Sequence, residues 1–98
     1  MKYLIMIHMN PATFAGPLRE SGELVGFAAL DDPTRSSTVR VAGGVPAVTD
    51  GPFVAVKEYL AGYYVVDCAT RERAHELAAM IPDAKYTPVE VRPVLAME

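Results

Sequence analysis

The sequence predicts an α+β fold of the ferredoxin-like βαββαβ type with an inserted β-hairpin, paired sheet to sheet with a second copy. Three observations carry this. Two runs, Lys2 to Met9 and Ala61 to Cys68, are apolar on both alternating parities, as central strands covered on both faces are. The stretch "TRERAHELAAMIP" has a single apolar stripe at helical spacing. Gly43-Gly44 separates two short alternating runs, the mark of a hairpin.

In the first run, Tyr3, Ile5, Ile7 and Met9 point one way, and Leu4, Met6 and His8 the other. Asn10-Pro11 ends it. Pro17 interrupts the segment from Ala12 to Gly22, so only Leu18 to Ser21 suits a short helical turn before Gly22. Glu23 to Leu30 reads as the second strand. Asp31 to Ser37, "DDPTRSS", reads as a polar loop of turn-forming residues. Thr38 to Val41 and Pro46 to Thr49 form the hairpin, with Pro46 best placed on an edge strand. After the Asp50-Gly51-Pro52 turn, Val56 and Leu60 lie four apart, which suits a turn or two of helix. Ala61 to Cys68 is a strong strand. Thr70 is placed to cap the helix that follows, in which Ala74, Leu77, Ala78 and Ile81 share one face. Pro82 ends it, and Val89 to Ala96 makes the last strand.

Without the hairpin, the order is βαββαβ, which places both helices on one face of the sheet. Two strands apolar on both faces then leave the second face needing cover. No helix remains to supply it, so a second copy packed sheet to sheet is the economical answer.

The 98 residues suit a single domain spanning 1–98. Hydrophobic residues make up 51% and charged ones 21%, the reverse of a disordered chain. The net charge is −3 and the basic residues are scattered, so neither nucleic acid nor an anionic membrane surface is expected as a direct partner. One cysteine, Cys68, excludes an intrachain disulfide. The opening "MKYLIMIHM" lacks the small-residue cleavage site of a signal peptide, and no apolar run reaches the roughly 18 residues of a membrane span. A cytoplasmic protein is the expectation.

The combination "TDGPF…KE…L.GYY..D", followed by the "A…A..IP" helix and "VEVRPV", resembles the DGPF-type branch of the YCII-related proteins. The likeness runs clearly from Thr38 to Val94, and "MKYLIMI" fits the family's opening strand. It implies a dimeric α+β barrel. It also implies association with extracytoplasmic-function sigma factors, which some members of the branch lie beside. Among related YCII proteins is a dehydrochlorinase of a chlorinated aromatic ring with a proposed His-Asp active site. Two departures stand out. The segment between the first two strands is short, and Val54 to Glu58 replaces the family's "AETKE", with one acidic residue fewer.

Seven residues are candidates for chemistry. His8 is the one histidine on a strand and belongs to a residue type that titrates near neutrality. Asp50 serves either as a turn acceptor or as a general base at a cleft rim. Lys57 would meet an oxyanion or carboxylate as a point charge. These three are the expected catalytic set. Glu58, Tyr64, Asp67 and Arg92 are the expected ligand-binding set. Tyr63 and Tyr64 face opposite ways, one into the core and one toward a pocket. Asp67 has a structural role as the start of the turn into the helix, and Arg92 suits a carboxylate partner. His75 reads as a surface residue and Cys68 as a small buried hydrophobe. The histidines and the cysteine have no metal-ligand spacing, and no dinucleotide, P-loop or nucleophile-elbow motif is present, so no metal or cofactor is expected. The resulting expectation is a small dimeric protein that binds a small polar or anionic metabolite. Metal-free acid/base chemistry of a lyase, isomerase or dehalogenase kind would accompany binding. The rival expectation is a non-catalytic regulatory or interaction module associated with such a sigma factor.

Overall fold

A computed structural model describes residues 1–8, 16–53, 59–85 and 88–97. The elements follow in the order β1 (Lys2–His8), α1 (Gly16–Glu20), β2 (Leu24–Ala29), β3 (Ser37–Ala42), β4 (Val45–Asp50), β5 (Leu60–Asp67), α2 (Arg71–Ala79) and β6 (Glu90–Pro93). Short 3-10 turns occupy Pro33–Arg35 and Pro82–Lys85. One sheet has the order β2-β5-β1-β6, with every neighbouring pair antiparallel, and β3 and β4 form a separate two-stranded sheet. This is the ferredoxin-like α+β arrangement with a hairpin inserted between its second and third main strands.

Alternation along the strands decides what is buried. Tyr3, Ile5 and Ile7 of β1, with Tyr64 and Val66 of β5, make one face of the sheet. Against it pack Ala74, Leu77 and Ala78 of α2, Ile81 just beyond it, and Leu18 of α1. The helical stripe read from the sequence is therefore the stripe that enters the core. Thr70 caps α2, its hydroxyl accepting from the Arg73 N–H at 3.1 Å. The Arg73 guanidinium in turn grips the Glu23 carboxylate at 2.8–3.1 Å, tying α2 to the start of β2. That contact holds the Glu23 carboxyl below its ordinary range. Cys68 is buried, and burial pushes its thiol up.

Several boundaries differ from the sequence reading. The first helix spans Gly16–Glu20 rather than starting at Leu18. The last strand is four residues long, ending at Pro93. Part of the segment after Pro82 coils into a 3-10 turn. The helical turn considered around Val56 falls outside the described residues.

The hairpin closes on Gly43 and Gly44, both at positive φ (+58° and +78°), the turn geometry that matches strand twist and that side chains other than glycine rarely adopt. Apart from Thr38, every residue of its two strands is exposed. Among the described residues, no helix is long and apolar enough to cross a membrane.

Candidate functional site

Strand direction gathers one end of the sheet. β1 and β2 each run antiparallel to β5, so the C-terminal ends of β1 and β2 meet the N-terminal end of β5. His8, the last residue of β1, pairs with Leu60, while Ile7 pairs with Gly62. Ala61 is thus the extra residue of a β-bulge, a device that bends a strand and re-aims side chains near its end. The Ala61 carbonyl accepts from the Leu30 N–H at 2.8 Å. The bulge therefore anchors the chain just where it leaves β2 for the loop from Asp31 to Ser36.

A cleft of about 530 Å³ opens here. Its described lining includes His8, Leu30 and Leu60 from the strand ends, Asp31, Asp32, Pro33, Arg35 and Ser36 from the loop after β2, and Pro52 and Tyr59. The loop builds its own shape. Asp32 accepts from the Thr34 N–H at 2.9 Å and the Thr34 hydroxyl at 2.8 Å, and these bonds hold its carboxyl below the usual range. A carboxylate so satisfied is a poor proton acceptor. Asp31 pairs with Arg35 Nε at 3.1 Å, with both side chains largely exposed. Such pairs contribute about 0.2–1 kcal/mol, so a ligand anion can compete for the guanidinium. His8 adds an imidazole to this lining, whose ring nitrogens can donate and accept hydrogen bonds. Among the described residues, no three His, Cys, Asp or Glu side chains cluster as a metal ion would require.

The seven candidates do not share one place. His8 lines the cleft. Asp50 is exposed and stands opposite Ser37 at the end of the hairpin, and it is not among the described residues that line the cleft. Next to it, the Gly51 N–H donates to the Ser36 carbonyl at 2.7 Å, and the Thr38 hydroxyl donates to the Gly51 carbonyl at 2.8 Å. Lys57 and Glu58 lie outside the described residues. Tyr64 is in the core, 2% exposed, with its ring stacked on Phe27 at 5.8 Å. It faces the helices because it pairs with Ile5, and the opposite parity falls to Tyr63. Asp67 pairs with Lys2, at the far end of β1 from His8, roughly 20 Å away at about 3.3 Å per residue. There it accepts from the Met1 amino group at 3.0 Å, which holds its carboxyl low, with Lys2 Nζ at 3.9 Å. Arg92 stands opposite Leu4 and donates to Glu90 on its own strand.

Tyr59 escaped the sequence reading, and so did Arg35, Ser36 and the two loop aspartates, because Asp31 to Ser37 read only as a polar loop of turn-forming residues. A signal was present. The βαββαβ order already puts the ends of the first two strands together, and this is the loop that leaves the second.

The model of the YCII-related domain matches residues 1–98. An uncharacterised protein of Rhizobium meliloti, strain 1021, is 38% identical over 77 residues. The match covers 76% of this chain and 62% of that protein, so the chain spans less than two thirds of the relative's length.

Proposed function

The chain belongs to the YCII-related domain family, and we infer that it is a cytoplasmic homodimer that binds a small polar or anionic metabolite in the His8 cleft. The observation that carries the reading is the cleft's composition. Leu30, Leu60 and Pro52 offer an apolar wall, and His8, Arg35 and Tyr59 offer polar groups, which is the mixture that orients a small ligand. Arg35 would anchor a carboxylate or similar anion through its terminal nitrogens, releasing Asp31. His8 would exchange the proton, and the Tyr59 hydroxyl would donate to the oxygen on which negative charge develops. Such a set fits a cofactor-independent lyase-, isomerase- or dehalogenase-like step. Asp50, Lys57 and Glu58 belong to this reading as further candidate groups named by the sequence. Membership of the DGPF-type branch rests on Thr49 to Phe53 and the residues after it.

Native mass spectrometry of the protein isolated from its own cells tests this. A small-molecule adduct on the wild type, lost in both H8N and R35Q, is the expected result. Absence of any adduct, together with capture of an extracytoplasmic-function sigma factor, would replace this reading with the regulatory one.

A further inference from the structure

We propose that the β3–β4 hairpin is an intersubunit arm whose Val39, Val41, Pro46 and Val48 face packs on a second copy of this chain. The inference rests on the homodimer proposed above and names an element that makes it. Cross-strand pairing puts Val39 beside Val48 and Val41 beside Pro46, so one side of the hairpin is aliphatic for two successive pairs. The opposite side carries Thr38 with Thr49 and Arg40 with Ala47, and only next to the turn the apolar pair Ala42 and Val45. This alternation belongs to a half-buried strand pair, yet Val39, Val41 and Val48 are 61–67% exposed.

A two-stranded hairpin is at best marginally stable alone in water. Among the described residues, this one joins no larger sheet. The chain is correspondingly extended, with a radius of gyration of 15.5 Å against roughly 13 Å for a compact domain of its length.

A second copy fits better than a different protein because this chain exposes two deficits at once. On the sheet face away from the helical core, Leu4, Tyr63 and Val65 remain part exposed. A two-fold contact lets each copy's arm and sheet face meet the other's, so one interface covers both. Three exposed valines and a proline fall short of the roughly 800 Å² that each partner of a standard interface buries, so arm and sheet face act together. Pairing edge to edge is disfavoured along β4. In a two-residue hairpin, Ala42 and Val45 form the hydrogen-bonded pair next to the turn, which leaves Pro46 facing the outer edge without an N–H to offer. The arm therefore docks by its face. Its base adjoins Ser36 and Pro52, so docking also borders the His8 cleft.

Sedimentation velocity across a dilution series tests the arm. The wild type is expected to be dimeric, V39E/V48E to raise the dissociation constant about tenfold or more, and T49K, on the opposite side, to leave it unchanged. Hydrogen exchange of the wild type supplies a readout that no unfolded variant can spoil. Protection of residues 37–50 should fall on dilution together with the dimer. A monomeric wild type would overturn both the dimer and the arm. A wild-type dimer that V39E/V48E leaves intact, or arm protection independent of concentration, would overturn the arm alone. Neither result touches the cleft, which the ligand adduct reads separately.

Discussion

Val66 and Val48 are the same residue in the same kind of antiparallel strand, yet Val66 is 0% exposed and Val48 67%. Val66 sits in the four-stranded sheet, where α2 covers its face. Val48 sits in the hairpin, which nothing described in this chain covers. Alternation therefore states that a face needs cover and not what provides it. In the sheet, the cover is local in sequence, a helix that begins within four residues of the end of β5. In the hairpin, no described residue supplies it, and the proposed second copy would.

The largest effect should separate the two regions directly. Leu77→Ala deletes a side chain that is fully buried in the core, and should cost about 2–5 kcal/mol in urea unfolding. Val48→Ala, measured where the protein is dissociated, should stay within about 0.5 kcal/mol, as exposed substitutions do. A large cost for Val48→Ala in the monomer would mean that the hairpin is covered by its own chain.

A smaller effect probes the turn. Gly44→Ala places a Cβ at φ +78° and should destabilise the hairpin by about 1–2 kcal/mol. Because the arm is separate from the core, faster amide exchange over residues 37–50 should reveal this while the exchange of β1 and β5 stays as it was.

The smallest effect concerns the tie between β2 and α2. Arg73 lowers the folded-state value of Glu23 below the ordinary 4.5. The stability from this pair is fully present above that ordinary value and is lost as pH falls through the lowered one. Acid unfolding of Glu23→Gln should lack this component, while the arm's exchange should show no matching change. An unaltered acid limb would mean that the pair adds nothing measurable, as exposed ion pairs often do.

Much of the fold was legible because short-range rules govern it. Leu77 and Ile81 declare a helical stripe, Gly43-Gly44 a turn, and Tyr3, Ile5 and Ile7 a buried parity. The bulge at Ala61 was not legible. It depends on register between β1 and β5, which no local pattern of small or apolar residues fixes. The site suffered for the same reason. His8 was identifiable as a polar end to an apolar strand. Arg35 and Tyr59 join it only through the return of β2 and β5 to the same sheet end. Tyr64 looked like a polar group beside a pocket, but its parity with Ile5 puts it in the core. Asp67 was credible on composition alone, and strand direction sends it to the far end.

The chain has two histidines, and their positions make one measurement decisive. His8 lines the cleft, whereas His75 is exposed on the outer side of α2. Imidazole proton resonances should be followed by NMR while small-metabolite fractions from the protein's own cells are titrated in. The account predicts a saturable change at His8, absent in R35Q, with His75 unmoved. Equal movement of both histidines, or no movement of His8 with any fraction, would contradict it.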